Sequence, residues 1–272
     1  MWLLIAGGVG VLSWWITGLL VSKASFLRSI DHPNNRSLHA EPTPRSGGVA
    51  ILASVMIGLA VAAIGFAVTP HLMGFLPKGL ASASLLIVGS IALVATVSFF
   101  DDRAGLPVGL RFAVQAIAAV IVVWGVGLTL PPIPIPAIKT VMLGGFAAPV
   151  SVLFLLWMTN LYNFMDGMDG FAGGMTTLGF GFLAYFGWRA GHPFMLLTTT
   201  VVAMSALGFL CHNFPPARIF MGDVGSIPLG FTGGTLMLLG LRDGLFDFWV
   251  PILIFSPFIL DATVTVLRRA WQ

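Results

Sequence analysis

Charge is what this 272-residue chain has least of: Asp, Glu, Lys and Arg make up 8% of it, against 57% hydrophobic residues. A soluble domain carries about a quarter charged residues, so an ordinary soluble fold is excluded. Cysteine is nearly missing as well. The lone Cys211 permits no internal disulfide and carries no information about redox compartment. No internal repeat, low-complexity tract or separate soluble segment is present, so residues 1–272 read as a single domain, and nothing in them calls for a nucleic-acid partner. No GxxxxGK[ST] occurs, which rules out a P-loop.

Apolar runs are what remain, rich in Phe (22), Met (12) and Trp (8). Crossing a ~30 Å hydrocarbon layer takes roughly 20 apolar residues in a helix. Nine stretches qualify: 2–22, 47–68, 80–99, 112–130, 142–159, 171–188, 194–211, 226–241 and 247–267, the eighth being short and glycine-bearing. The runs are continuously apolar, whereas barrel strands alternate polar and apolar over about ten residues. The fold class is therefore an all-α, polytopic membrane helix bundle of about nine transmembrane helices. The first stretch has no basic n-region and no small-residue cleavage site, and reads as a retained helix rather than a signal peptide.

With nine helices, the loops on one side hold Lys23, Arg28, Arg36, Arg45, Arg103, Arg111, Arg218, Arg268 and Arg269, and those on the other hold Lys78, Lys139, Arg189 and Arg242. Basic loops stay cytoplasmic, so the first set is expected inside and Met1 outside. Seven acids follow the same side: Asp31, Glu41, Asp101, Asp102, Asp166, Asp169 and Asp223. Asp243 and Asp247 fall outside, and Asp261 lies within the last helix toward its inner end.

Four inner segments thus stand out: "DHPNNRSLHAEPTPRSGG", "FFDDRAGLPVGLR", "NLYNFMDGMDG" and "HNFPPARIFMGDVGS". Asp101 and Asp102 are adjacent, so on a helix they diverge by about 100°; one as a helix cap and one solvated is the plain alternative. Like charges at the end of an apolar helix repel, and a metal or Arg103 and Arg111 would relieve them. Asn160, Asn163, Asp166 and Asp169 recur every third residue, a series that drifts about 60° per step around a helix. With Gly167 and Gly170 loosening the chain, they are expected to converge in a loop. Their oxygens are hard ligands of the kind Mg²⁺ takes. The alternative is a helix end and a solvated loop. Gly170 and Gly174 form a small-xxx-small pair read as helix packing. In "FMGDVGS", a glycine turn around Asp223 would bring backbone N–H groups to an anion, or serve only as a cap. His32 and His39 have no zinc spacing, and His71, His192 and His212 read as structural.

Together these segments resemble the polyprenyl-phosphate N-acetylhexosamine-1-phosphate transferases, which start O-antigen, enterobacterial common antigen and peptidoglycan lipid carriers. The matching stretches are "RSLHAEPTPRSGG", "FFDDRAGLP", "NLYNFMDGMDGFAGG", "ARIFMGDVGS" and "FSPFILDATVTVLRR", covering nearly the whole chain, with "PTPRSGG" nearer the O-antigen-initiating branch. The resemblance implies Mg²⁺-dependent transfer of a sugar 1-phosphate from a UDP-N-acetylhexosamine to undecaprenyl phosphate, with release of UMP at the cytoplasmic face of a bacterial inner membrane. Mn²⁺ is the alternative cation, and a homodimer is left open.

Carried over by motif, Asp223 and Asn163 would hold the metal, and Asp101 or Asp102 would activate or position the lipid phosphate. Asp166 and Asp169 would line the nucleotide side, Asn213 and Phe220 would receive uracil, and Arg111 and Arg45 would meet phosphate. Family members have ten or eleven helices and continue past the "LRR" into a histidine-bearing loop and a last helix. This sequence stops at "AWQ", so a chain lacking both is expected. Two rivals stand beside this reading: an intramembrane cation transporter, which would place its acids near the bilayer midplane, and a catalytically silent membrane scaffold.

Overall fold

Backbone inside hydrocarbon has no water to bond to, so it must close its own hydrogen bonds within helices. The computed structural model describes residues 2–22, 30–31, 43–68, 80–136 and 139–271, and it is a helix bundle. The helices are α1 (Trp2–Val21), α2 (Gly47–Val68), α3 (Leu80–Ala104), α4 (Val108–Val120), α5 (Ala147–Met165), α6 (Phe171–Arg189), α7 (Pro193–Asn213), α8 (Asp223–Arg242), α9 (Trp249–Ile254) and α10 (Ser256–Ala270). Strands are minimal: Ile30–Asp31 pairs antiparallel with Thr43–Pro44, and Ile133–Pro134 with Thr140–Val141. Lys23, Arg28, His32, Arg36, His39, Glu41, His71 and Lys78, used above for topology or weighed as ligands, lie outside the described residues.

Helix α8 is the axis of the bundle. Nearly all of it is buried, and α2, α3, α5 and α6 pack around it. The glycines that made this stretch look short are what let it sit there. A Cβ at Gly230 would strike the Met158 carbonyl and Tyr162 of α5, one at Gly234 would press on Leu155 and Met158, and one at Gly240 would strike Phe246. Small residues thus let helices approach closely where lipid provides no hydrophobic drive between them.

The all-α membrane bundle stands, with two boundaries corrected. Among the described residues seven helices are, by length and composition alone, apolar enough to span: α1, α2, α3, α4 with its continuation, α5, α7 and α8. Helix α6 has 19 residues, about 28 Å at 1.5 Å each, but Gly173, Gly174, Gly179, Gly181 and Gly187 dilute its apolar character. It still crosses the bundle, since it starts beside the end of α7 and packs along it. The ninth stretch breaks at Phe255 into α9 and α10, next to Pro251 and Pro257, which lack the N–H a continuous helix needs. The fourth stretch starts earlier than expected, at Val108, and closes in a π-turn over Ile121–Gly125.

The two faces of the bundle differ. At one end, α3, α5 and α7 terminate and α2, α4, α6 and α8 begin, and this is where the polar segments meet. At the other end His192 caps α7, its Nδ1 accepting from the Met195 N–H at 3.1 Å, while its Nε2 lies 3.1 Å from Asp243. That pattern puts the ring proton on Nε2. Burial raises the Asp243 carboxyl, but the hydrogen bond and charge of Arg242, with His192, outweigh it and hold the group below the usual carboxylate range. The Trp249 indole donates to the Pro134 carbonyl at 2.7 Å, pinning the short strand pair to α9. In a Cys211-free background, single cysteines at positions 103 and 218 are expected to react with an impermeant maleimide from one side of the membrane. Those at 189 and 243 are expected to react only from the other. Labelling of 103 and 189 from the same side contradicts the fold.

Candidate active site

The site is built on the first turn of α8, whose N–H groups have no partner within the helix. Gly222 is its N-cap at φ 75°, a conformation glycine adopts freely. A Cβ there would also run into the Arg45 carbonyl. The N–H groups are taken by carboxylates from other helices. Asp166, just past the end of α5, accepts from the Gly222 N–H at 2.7 Å. Asp102, at the end of α3, accepts from Val224 at 2.8 Å and from Asp223 at 3.3 Å. A helix N-terminus carries about half a positive charge, so two carboxylates are well placed there.

Arginines close the ring. Arg45 Nη2 donates to Asp102 at 2.7 Å; Arg111 Nη1 donates to Asp101 at 2.7 Å and to Asp223 at 3.4 Å. Asp101 also accepts the Leu106 N–H at 2.8 Å and so closes the α3–α4 turn. The adjacent acids do diverge: each has its own arginine. Arg45 is brought in by a backbone tie. Phe220 N–H donates to the Pro44 carbonyl, and Gly47 and Gly48 N–H donate to the Phe220 and Met221 carbonyls. Gly48 lies directly against the Gly225 backbone. This, and not Gly170 with Gly174, is the close glycine contact. Gly170 instead makes a turn at φ 71°, and nothing stands within 4 Å of a Cβ at Gly174.

Asn160 and Asn163 belong to α5, not to a loop, because that helix runs on to Met165. The every-third-residue series drifts around the axis, so its members reach different partners. Asn160 donates to Gln115 at 3.0 Å, Asn163 to Asp223 at 2.9 Å and to Ser226 at 3.1 Å, while Asp169 accepts from the Ala217 N–H at 2.9 Å. Asn213 is buried; it accepts from Gly170 N–H at 3.1 Å and donates to the Ile219 carbonyl at 2.9 Å. Phe220 is buried too, 7% exposed. Every nominated residue therefore lies in one continuous cluster, with Arg45, Arg111, Asn163 and Asp223 toward its open side. Sequence reasoning missed Ser226 and Gln115. Gln115 had a signal, being an amide inside an apolar run; Ser226, three residues after Asp223, had only its spacing.

The sequence model of glycosyl transferase family 4 matches residues 84–241, more than half the chain and most of this cluster. The chain belongs to that family. It is 33% identical over 257 residues to the probable undecaprenyl-phosphate N-acetylglucosaminyl 1-phosphate transferase of Bacillus subtilis, covering 93% of this chain and 68% of that one. Identity is also 33% over 230 residues with the decaprenyl-phosphate N-acetylglucosaminephosphotransferase of Mycobacterium leprae, over 81% of this chain and 56% of that one. A phospho-N-acetylmuramoyl-pentapeptide-transferase of Synechococcus is 33% identical over 208 residues, 73% of this chain and 56% of that one. The chain thus spans between about half and two thirds of the length of these family members.

Burial pushes the Asp166 carboxyl well above the ordinary range; the Gly222 N–H works against this, and the charges of Asp223 and Asp102 add to it. A raised folded value means the folded protein holds this proton more tightly than the unfolded chain. Its stabilising contribution is complete below the unfolded value of about 3.9 and is lost as pH rises through the folded value. The thermal midpoint in detergent should carry that falling limb. Asp166→Asn, which keeps an acceptor for Gly222 without a charge, should flatten it; an unchanged pH profile would show that Asp166 is not the group responsible.

Proposed function

We propose that this family member transfers a sugar 1-phosphate from a UDP-N-acetylhexosamine to a polyprenyl phosphate such as undecaprenyl phosphate, releasing UMP and starting a cell-envelope glycan on its lipid carrier. The observation that carries this reading is the meeting of four carboxylates and two guanidiniums from four distant segments at one end of a membrane bundle. The relatives' names support it, since two of them specify undecaprenyl or decaprenyl phosphate and N-acetylglucosamine. The "PTPRSGG" stretch points to O-antigen-type initiation.

In the proposed reaction an oxygen of the lipid phosphate bonds to the β-phosphorus. The bond from that phosphorus to the bridging oxygen breaks, and UMP departs with that oxygen. The attacking phosphate is already largely ionised, so positioning and charge neutralisation matter more than a strong base. Arg45 and Arg111 face the phosphates, and Asp101 and Asp102 orient them and the incoming lipid phosphate. Asp166 and Asp169 brace the nucleotide side, where Asn213 and Phe220 form the wall of the uridine end.

The donor set fits Mg²⁺ or Mn²⁺ of a partly protein-held kind. Among the described residues no three Asp, Glu, His or Cys side chains form a cage, but Mg²⁺ commonly takes one or two carboxylates and completes its shell with water and phosphate. Asp223 and Asn163 would hold it, with the amide turned oxygen-first, an orientation set by hydrogen bonding rather than shape. Asp101, Asp102 and Asp223 face Arg45 and Arg111, so acids outnumber arginines even with Asp166 protonated. Such a cation, when bound, offsets diphosphate charge.

The nine-to-four cation bias supports a cytoplasmic position for this face in a bacterial inner membrane. A transporter fits less well, because the acids gather at helix ends. Asp223→Asn keeps the shape and removes a charge; Mg²⁺ affinity should fall and radiolabelled sugar transfer to lipid should drop by about two orders of magnitude or more, as when a principal electrostatic group is removed. Asp243→Asn, on the far face, should leave turnover unchanged. Full activity of Asp223→Asn at limiting Mg²⁺ would remove Asp223 from the metal site.

A further inference from the structure

One buried titratable side chain has no part in the proposed reaction. His212 stands in the last turn of α7, 8% exposed, at the end of the bundle that carries the cluster. Its Nδ1 lies 2.8 Å from Arg218 Nη2, and its Nε2 lies 3.1 Å from the Trp14 carbonyl of α1. A guanidinium can only donate and a carbonyl can only accept. The ring therefore carries its proton on Nε2, presents a lone pair on Nδ1, and is neutral. Trp14 also stacks against it, with 6.0 Å between ring centroids and 27° between planes.

Arg218 belongs to the link between α7 and α8, residues 214–222. Its backbone N–H donates to the His212 carbonyl at 3.0 Å, so main chain and side chain grip the same helix end. The residues around it are tied down one by one. Ala217 N–H donates to Asp169, the Ile219 carbonyl accepts from Asn213, and Phe220 N–H donates to the Pro44 carbonyl. The link then reaches Gly222 and Asp223, where α8 starts. Among the described residues Arg218 forms no ion pair. A cation that would ordinarily seek a carboxylate is held instead by a neutral imidazole, an acceptor that one proton abolishes.

No other charge faces the ring. Of the helices packed on α7, α1 and α2 carry no titratable side chain, and those of α6, Tyr185 and Arg189, lie toward the opposite end. Cys211, beside it on α7, gives its thiol to the Leu207 carbonyl. Asp169 meets the link at Ala217 rather than at Arg218.

We propose that His212 is a positioning residue, whose Nδ1 lone pair holds Arg218 and so fixes the α7–α8 link that carries Phe220 to Asp223. A second proton on the ring would occupy that lone pair and set two cations face to face, releasing the link. The kinetic consequence rests on the transfer reaction proposed above, in which Phe220 forms part of the uridine end; the grip itself does not depend on it.

The test uses the purified protein in nanodiscs. His212→Asn places an amide oxygen near the position of Nδ1 and cannot titrate, whereas His212→Leu offers no acceptor. Hydrogen exchange of peptides covering 214–222 and UDP-sugar kinetics are followed from about pH 5 to 8, the histidine window. His212→Leu should raise the UDP-sugar KM about tenfold at neutral pH, as expected for a lost hydrogen bond to a charged group, with kcat changed much less. Arg218→Met should do the same, and the double variant no more, because both remove one interaction. His212→Asn should restore the wild-type KM. As pH falls, the wild-type link should exchange faster than that of His212→Asn at the same pH, and the wild-type KM should rise relative to that variant. Three results would overturn the proposal: equal exchange in these two proteins across the window, a His212→Asn variant as impaired as His212→Leu, or additive losses from His212→Leu and Arg218→Met. Absence of any sugar transfer by the wild type would remove the reaction, while the exchange comparison would still decide the role of His212.

Discussion

The structure depends on one requirement: a helix that begins in the interior of a membrane bundle must find acceptors for its first N–H groups. Each such group left unpaired costs about 1–3 kcal/mol. Helix α8 meets the requirement with Asp102 and Asp166, carboxylates delivered by α3 and by the turn after α5. Asp102 in turn needs positive charge, which Arg45 brings on α2's approach, while Arg111 of α4 meets the neighbouring Asp101 and Asp223. The polar cluster thus satisfies the buried start of α8. Asp102 and Asp166 bond to the start of α8, whereas Asp223 and the arginines remain partly exposed.

Much of this was legible from residue types. Apolar runs and one-sided charge yield the bundle and the face on which polar segments meet, because hydrocarbon thickness and basic-loop retention act on composition directly. Asp101, Asp102, Asp166 and Asp223 could be nominated because acids are costly at an apolar helix end without a partner. What those acids bind could not be read, since partners such as Asp102 and Val224 lie 122 residues apart. Glycine misled in both directions. It made α8 look marginal when close packing is what buries it, and it drew attention to Gly174 in place of Gly48 and Gly225. The break at Phe255 was also missed, although Pro251 and Pro257 mark it.

The arrangement suits a reaction between a lipid and a water-soluble nucleotide. In the proposed reaction the charged cluster at one end of the bundle would meet the phosphates of both partners. Neither partner has to leave its own solvent. The proposed divalent ion would supply counter-charge for a diphosphate approaching this acid-rich cluster.

The most direct test is the fate of the two phosphorus atoms of the donor. UDP-N-acetylglucosamine labelled separately at the α- and β-phosphates is incubated with polyprenyl phosphate, the protein and Mg²⁺. The account requires the β label to move into the organic phase with the lipid and the α label to remain in water as UMP. If sugar reached the lipid while both labels stayed in water as UDP, the bond broken would be glycosidic, and the phosphoryl-transfer account would be wrong.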